Sequence, residues 1–272
     1  MKKTLITLLI VLGLLVVWIY FDHQGQPEQP GTVTAKPVPD AWVHARANSR
    51  LQAAEGHDKQ ILFGDLHVHT TYSVDAFAWA LPMFHGEGVR PPAEACDFAR
   101  FCSDLDFWGT TEHAESLTPR HWQDIKNMVQ QCNAVSGDAD NPDLVTFLGW
   151  EWTQMGDTAD KHYGHKNVLF RDYEENQVPT RPIGSGGVAA LAMRDNNVPF
   201  IQHWIGPYLD FKNRQSVYDQ QYKMADLAKQ RVCEPGVAVR QLSKNCVEFA
   251  QTPHDLFAKL NDWGFESLVI PH

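Results

Sequence analysis

The chain has 272 residues, of which 43% are hydrophobic, and this length suits one large domain or two small ones. The apolar fraction and nine tryptophans are typical of a well-buried globular core. A formal net charge of −10 argues against a general nucleic-acid-binding protein, which would carry a basic face. Thirteen histidines are many for this length, and where they fall matters more than their number.

The N-terminal 23 residues predict a membrane-targeting segment. Two lysines precede an apolar run that ends near Tyr20, close to the ~20 residues that span a bilayer. No small-x-small cleavage pattern follows, and Trp18, Tyr20 and Phe21 form an aromatic flank typical of a membrane interface. We therefore favour a signal anchor over a cleaved signal peptide. The rest of the chain is then expected on the periplasmic or extracellular face of the inner or plasma membrane.

A linker is predicted over residues 24–58, because this segment begins with the Pro-, Gln- and Thr-rich stretch QGQPEQPGTVTAKPVPD. From residue 61 onward, short apolar runs alternate with helical stretches. The predicted strands are residues 61–63, 105–111, 144–148, 168–170, 198–202 and 265–270. The predicted helices are residues 91–103 and 186–194, and two that start at Thr118-Pro119 and Thr252-Pro253. This alternation predicts an α/β fold with a parallel sheet and helical crossovers.

Export makes the five cysteines candidates for disulfide bonds. Cys233 and Cys246 flank a loop-like segment and are the preferred pair. Cys96 and Cys102 fall on one predicted helix about 9 Å apart, which is too far for a bridge. One of these two could instead meet Cys132 on the next helix. The odd count leaves at least one free thiol or an intermolecular bond.

Side chains that bind metals follow each predicted strand: DLHVH, EHAE, GWEW, the nearby HYGHKN, QHW and PH. In a barrel of parallel strands the carboxyl ends meet at one mouth, where chemistry occurs. The sequence therefore predicts a metal site there. Its candidate ligands are His67, His69, Asp75, His113, Glu151, His165, His203 and His272. His162 competes with His165 for one position.

The residue types explain these choices. His67 and His69 are spaced i, i+2, so both point to one side of an extended segment. Glu151 lies between two tryptophans, where a carboxylate is costly to desolvate unless it is paired or bound to a metal. Asp75 could instead be a solvated carboxylate in a turn, and His113 could instead be a hydrogen-bonded histidine of the core. Mixed imidazole and carboxylate ligands suit Zn, Mn or Fe better than Ca or Mg.

Two acidic residues, Asp65 and Glu112, are the candidate catalytic residues, and each is expected to act from behind the ligands. In that position a carboxylate orients a ligating histidine. Neither is expected to bind metal directly.

Several of these motifs resemble a known superfamily. GDLHVHTTYSVDA resembles the first motif of the PHP (polymerase and histidinol phosphatase) superfamily, in which His-x-His and a later residue bind two or three metal ions. TTEHAE resembles the second motif, with Glu112 in place of the usual Asp, and GWE and VIPH resemble later motifs. More narrowly, ACDFARFCSDLDFWGTTEHAE, GHKNVLF and SLVIPH resemble a secreted, PHP-related family named only as domain of unknown function 3604.

The resemblance covers roughly residues 61–272. It implies that residues 59–272 form a PHP-like, distorted (β/α) TIM-type barrel. The barrel is expected to be incomplete at its C-terminus, because PHP sites close with a later Asp-x-His.

The same resemblance implies an exported metal-dependent hydrolase, in the first place a phosphoesterase with a metal-activated water. A complete chain would bind two or three Zn, Mn or Fe ions and a small-molecule substrate. Lys166, Arg171 and Arg181 are the candidate phosphate-binding cations. Two alternatives stay open: an amidohydrolase-type hydrolase, which also begins with His-x-His at a strand end, and a non-catalytic, membrane-tethered metal- or ligand-binding protein.

Overall fold

A computed structural model of the protein describes residues 2–54, 61–82, 85–86, 88, 90–138, 141–194 and 200–272. The helices in these ranges are α1 (Lys2–Asp22), α2 (Asp40–Ala53), α3 (Val74–Ala80), α4 (Pro92–Phe101), α5 (Pro119–Ala134), α6 (Val188–Arg194), α7 (Phe200–Leu209), α8 (Arg214–Lys229) and α9 (Pro253–Trp263). The strands are β1 (Gly64–Val68), β2 (Phe107–Thr110), β3 (Gly137–Asp138), β4 (Asn141–Pro142), β5 (Val145–Gln154), β6 (Gly164–Phe170), β7 (Ile183–Gly184), β8 (Glu248–Phe249) and β9 (Ser267–Pro271).

The central sheet has the strand order β1-β2-β5-β6-β9. Strands β1, β2 and β5 are parallel, as predicted, but β6 is antiparallel to both of its neighbours. The fold is therefore mixed α/β with a mixed sheet. Over the described residues the sheet is open, with β1 and β9 at its edges, so the predicted TIM-type barrel is not found there.

Two helices begin as their sequences predict. The Thr118 side chain accepts a hydrogen bond from the His121 backbone, and Thr252 does the same for Asp255, each with proline at the first helical position. The apolar stripe of α5 is buried in the core: Trp122, Ile125, Val129 and Cys132. On α9, Leu256, Leu260 and Trp263 are buried, whereas Phe257 is exposed.

One face of the sheet is covered by helices. The Trp122 ring of α5 packs edge-on against Trp150 of β5, with 5.5 Å between ring centroids. Cys96 of α4 pairs with Cys132 of α5, and Cys233 pairs with Cys246, while Cys102 is exposed and unpaired in the described structure. The predicted Cys233–Cys246 pair is confirmed, and of the two candidates for Cys132 it is Cys96 that pairs with it, which joins α4 to α5.

One predicted strand is wrong where it can be assessed. Residues 200–202 begin helix α7, and residues 198–199 lie outside the described ranges. A short apolar run such as VPFIQ does not distinguish a buried strand from a helix by periodicity. The first strand also starts later than expected, because pairing with β2 begins at Gly64 rather than Ile61.

The segment predicted as a linker is largely ordered. Its C-terminal part contains helix α2, and residues 24–38, called the strap below, run across the domain. Glu28 in the strap is buried and lies 2.7 Å from both His121 and Lys223. Val33 joins the hydrophobic core. Residues 55–58 lie outside the described ranges.

Helix α1 is 21 residues long, has a mean hydropathy of 2.7 and is not buried against the rest of the protein. Length and composition make it able to cross a membrane, as a signal anchor would. A signal sequence meets the same criteria, so these properties are consistent with either form of the predicted targeting segment.

Candidate metal centre

The sheet brings the predicted ligands to one edge. His67 is the penultimate residue of β1, His113 follows β2, Glu151 lies in the second half of β5, and His272 follows β9. Because β6 runs in the opposite direction, its start lies at this edge, and His165 pairs directly with Thr153 of β5. A bridge also joins His113 to Glu151. The candidate ligands of β1, β2, β5 and β9 lie towards the carboxyl ends of these strands, whereas His165 lies at the amino end of β6.

The Glu151 carboxylate lies at the centre of the cluster and is 1% exposed. Imidazole nitrogens surround it: His69 Nε2 at 2.9 Å, His67 Nε2 at 3.4 Å, His272 Nε2 at 3.5 Å, His113 Nδ1 at 3.6 Å, and His165 Nδ1 in a short hydrogen bond. Five of the predicted ligands therefore meet at the sixth. His272 also stacks near His67, with 4.3 Å between ring centroids.

Three overlapping groups of side chains offer metal ligands, with the ligand atoms of each group within 4.8 Å of one another. The groups are His67, His69 and Glu151; His69, Asp75 and His113; and His113, Glu151 and His165. Each pair of groups shares a residue. This arrangement is the one expected of neighbouring ions bridged by common ligands.

The charges in the cluster favour a cation. Burial alone would raise the pKa of Glu151, but the adjacent His69 imidazole and the charge of His113 hold it well below its usual range. Burial also disfavours charge on His113, but Asp75 Oδ2 at 3.0 Å and the nearby Glu151 raise the pKa of this histidine to about 9. The protein thus keeps Glu151 anionic and holds a positive charge next to it.

The side chains of this site could hold a metal ion. Among the described residues, the buried oxygens Glu151 Oε2 and Asp75 Oδ1 have no hydrogen-bond partner. Orphaned buried oxygens are costly unless a ligand satisfies them. His67 Nε2 also faces His69 Nε2 at 2.8 Å, so two imidazole nitrogens point at a common region. Imidazole with carboxylate is a donor set of Zn, Mn and Fe.

Behind the ligands, Ser73 determines which nitrogen of His69 carries hydrogen. The Ser73 hydroxyl donates to Glu112 Oε2 at 2.8 Å, and its oxygen lies 2.8 Å from His69 Nδ1. Since a hydroxyl has one hydrogen, His69 Nδ1 must donate, which leaves Nε2 as a lone pair aimed at Glu151 and His67. Glu112 also accepts from the Thr70 backbone at 3.0 Å. It therefore helps to hold the loop that carries His69.

Thr153 has the same effect on His113 and was not predicted. Its hydroxyl donates to Glu151 Oε1 at 3.1 Å and lies 2.7 Å from His113 Nδ1, so this nitrogen donates to Thr153. Alternation along β5 would have identified it, because Thr153 lies two residues after Glu151 and on the same face. Glu115 is a further unpredicted residue: it is buried, accepts from the Thr153 and Ser185 backbones, and burial raises its pKa.

Some predicted residues lie elsewhere. Asp65 accepts a hydrogen bond from the His67 backbone at 2.9 Å. Among the described contacts its carboxylate meets no imidazole ring, so the expected orientation of a histidine by Asp65 is not seen there. His203 is on α7, where its carbonyl lies 3.3 Å from His23 Nε2, and it is in none of the three ligand groups of the described residues. Arg181 is buried against Glu248, and Arg171, at the far end of β6, pairs with Glu266.

A groove of about 720 Å³ opens beside His67 and His69. Arg90 lines it and was not predicted, and it lies 3.2 Å from Glu94 of the same groove. Phe98 and Leu105 line its apolar part. The groove is large enough for a small molecule that contacts the histidine cluster.

Comparison with known proteins adds one similarity. A family model described as "Protein of unknown function (DUF3604)" matches residues 56–117, which include His67, His69, Asp75, Glu112 and His113. The match covers less than half of the chain. No curated protein and no solved structure matches it. The similarity therefore covers the first two ligand-bearing loops and carries no named activity.

Proposed function

We propose that the protein is an exported, membrane-anchored, metal-dependent hydrolase of the PHP type, acting as a phosphoesterase on a small molecule. The observation that carries this proposal is the convergence of three overlapping ligand groups on the buried Glu151 carboxylate. Buried carboxylate–imidazole clusters with orphaned oxygens are costly to maintain without a function.

In this proposal six side chains hold two or three ions: His67, His69, Asp75, His113, Glu151 and His165. His272 lies within reach of the same carboxylate. Bound Zn, Mn or Fe ions would supply Lewis-acid polarisation of a phosphoryl oxygen and a water of lowered pKa. Glu112, Ser73 and Thr153 orient the imidazoles so that their lone pairs face the cluster.

The groove beside His67 supplies the substrate site. The Arg90 guanidinium is a suitable partner for a phosphate, because its N–H groups match two phosphate oxygens at once. Phe98 and Leu105 provide apolar surface for the leaving group of the ester. A mixed lining of this kind favours a phosphate carried on an organic moiety over inorganic phosphate alone.

A PHP-like barrel is part of the same proposal. Parallel strands β1, β2 and β5, joined by helices, carry ligands at their carboxyl ends, as barrel strands do. The sheet face opposite α5 has an apolar groove lined by Leu66, Phe147, Leu169 and Leu268. That face is the one a closed barrel would enclose.

The test combines metal content with turnover in the full chain, purified in detergent. We expect two or more Zn, Mn or Fe per chain by inductively coupled plasma mass spectrometry, and hydrolysis within a panel of phosphoesters, amides and lactones. His67→Ala/His69→Ala should lose metal and activity together. The matched control is His254→Ala, which removes an imidazole that is 93% exposed on α9 and should change neither.

The outcomes separate the alternatives. Turnover of amides or lactones but not phosphoesters would replace the phosphoesterase with an amidohydrolase-type enzyme. Metal without turnover of any class would favour a metal-binding protein. A folded full chain that binds no metal after exposure to Zn, Mn and Fe would refute the hydrolase proposal.

A further inference from the structure

An apolar surface lies where the chain leaves helix α1. Helix α7 contains no charged residue in its sequence, FIQHWIGPYL, and a short turn, residues 211–213, follows it. Three side chains of this region point to solvent: Ile205 is 51% exposed, Leu209 is 82% exposed and Phe211 is 52% exposed. We call these three residues the footing. Large apolar side chains grouped on one surface mark an interaction site more often than scattered ones do.

The footing is joined to the end of α1 by direct contacts. The Phe211 ring lies 6.4 Å from the Trp18 ring of α1, centroid to centroid. Arg214 donates to both carboxylate oxygens of Asp22 at 2.7 Å, and its guanidinium lies 4.1 Å from the Phe211 ring centroid. A bidentate arginine–carboxylate pair fixes orientation as well as distance. The end of α1 and the footing are therefore held as one unit.

The residues after Asp22 strengthen this connection. The His23 ring stacks on Trp204 of α7 at 4.4 Å and packs at 4.2 Å from Tyr218 of α8. Gly25 lies so close to α8 that an added Cβ would fall 2.3 Å from the Tyr218 carbonyl oxygen. In this part of the described chain, α1 is therefore connected to the domain by packed residues and not by a flexible linker.

The position of α1 in a bilayer then determines the depth of the footing. At ~1.5 Å per residue, the 21 residues of α1 extend about 31 Å, close to the ~30 Å of a hydrocarbon core. Trp18 lies about one turn inside the end of α1, at the depth where aromatic side chains prefer the interface. Since Phe211 contacts Trp18, it lies at the same depth.

We propose that the footing lies in the outer interface of the bilayer that holds α1, so the domain rests on the membrane instead of moving on a flexible tether. The proposal depends on the predicted anchor and not on the hydrolase activity. Charge supports it, because the exposed Lys212 and the partly buried Arg214 follow Phe211 closely in the chain. Basic side chains with long apolar stems are favoured at that depth.

Depth-dependent quenching tests the proposal in the full chain, reconstituted in phosphatidylethanolamine/phosphatidylglycerol vesicles. The free thiol is removed by Cys102→Ser, and Leu209→Cys is labelled with an environment-sensitive fluorophore without reductant. We expect shallow nitroxide-labelled lipids to remove most of the emission, and aqueous iodide to remove little. The matched control is Phe257→Cys on α9, a partly exposed apolar position away from the footing, which should show the reverse. Ile205→Cys is a second probe should Leu209→Cys not fold.

Each other outcome contradicts the proposal. Equal iodide quenching at Leu209 and Phe257 would mean that the footing faces water. Protection from both quenchers, lost on dilution into empty vesicles, would mean that a second copy of the chain covers it. Release of the full chain from membranes by alkaline carbonate would show that α1 does not span the bilayer, which the proposal requires.

Discussion

At the scale of single residues, alternation along β5 explains how a carboxylate came to lie among tryptophans. Trp150 and Trp152 point into the helix-covered core, whereas Glu151 and Thr153 point to the opposite face, where the histidines gather. The indoles exclude water from one side of the strand, and the imidazoles compensate the charge on the other. One strand therefore stabilises the core and carries the centre of the cluster.

The Thr153 hydroxyl should affect metal affinity without binding metal. Thr153→Val removes the acceptor of His113 Nδ1 while keeping shape, so the imidazole loses its fixed orientation. We expect about 10–100-fold weaker Zn²⁺ binding, measured by competition with a chromophoric chelator. Thr110→Val is the matched control, since Thr110 is equally buried on β2 and its hydroxyl has no hydrogen-bond partner among the described residues. Equal affinities of the two variants would contradict this role.

Metal affinity should depend on pH through His113. A ligating imidazole must be deprotonated, and the pKa of His113 is raised to about 9 by Asp75 and Glu151 against the effect of burial. Below that pH a metal must displace a proton, so apparent affinity should rise about tenfold per pH unit towards pH 9 and flatten above it. Titration in chelator-buffered Zn²⁺ measures the slope. His113→Gln should reduce it and His254→Ala should not; a flat profile between pH 7 and 9 in the unmodified protein would refute the assignment.

At the scale of elements, the strap shows how a Pro- and Gln-rich segment becomes part of a fold. Its polar residues are anchored individually: Glu28 to His121 and Lys223, and Thr34 to Asp97 at 2.6 Å. Burial alone would raise the pKa of Glu28, but the His121 hydrogen bond and the Lys223 charge hold it well below its usual range. The Lys223 ammonium is also buried and donates to the Thr71 carbonyl at 2.7 Å. The strap thus connects α5, α8 and the loop before α3.

Glu28→Gln should destabilise the protein strongly. The substitution leaves the Lys223 ammonium buried without its carboxylate, and breaking one partner of a buried ion pair costs about 3–5 kcal/mol. Thermal unfolding in detergent, followed by tryptophan fluorescence, should show a clearly lower midpoint. The control is Glu234→Gln, which breaks an exposed pair with Arg231 and is expected to cost little. Equal midpoints for the two variants would show that the strap does not stabilise the domain.

At the scale of the whole molecule, the apolar helix α1 and the paired cysteines are consistent with the same compartment. Both disulfide pairs lie within the domain that follows α1, and such bonds persist in oxidising environments outside the cytosol. In addition, the end of α1 contacts the turn after α7 and the start of α8, through Trp18–Phe211 and Asp22–Arg214. These features are consistent with export and with retention of α1.

Removing residues 2–22 should leave both disulfides unformed in cells. Without the targeting helix the chain is expected to stay in the reducing cytosol, whereas the full chain should be oxidised at Cys96–Cys132 and Cys233–Cys246. Alkylation with a mass tag before reduction measures this: one modified cysteine in the full chain and five in the shortened one. Cys102, which is exposed, is the internal control and should react in both. One modified cysteine in both chains would contradict export through α1.

Particular elements show where sequence reasoning succeeds and where it does not. Helices α5 and α9 were predicted because a cap, a proline and an apolar stripe are local signals that agree. The direction of β6 was not, because strand polarity depends on which neighbour the chain meets and not on its own pattern. The start of helix α7 was taken for a strand because a short apolar run such as VPFIQ carries no periodicity that separates strand from helix. Composition alone made the strap look like a linker, since isolated buried ion pairs leave no periodic signal.

By itself the sequence determined the candidate ligand residues, the Cys233–Cys246 pair, an apolar N-terminal targeting segment and the α/β class, since each depends on residue identity and short spacing. Only the tertiary structure decided which ligands meet, because meeting requires strands distant in sequence to end at one edge. It brought His272 to Glu151 and placed His203 beside His23 instead. It also revealed Thr153, Ser73 and Glu28, whose roles arise from single contacts across the fold. Local chemistry can be read from spacing, but proximity between distant segments is a property of packing.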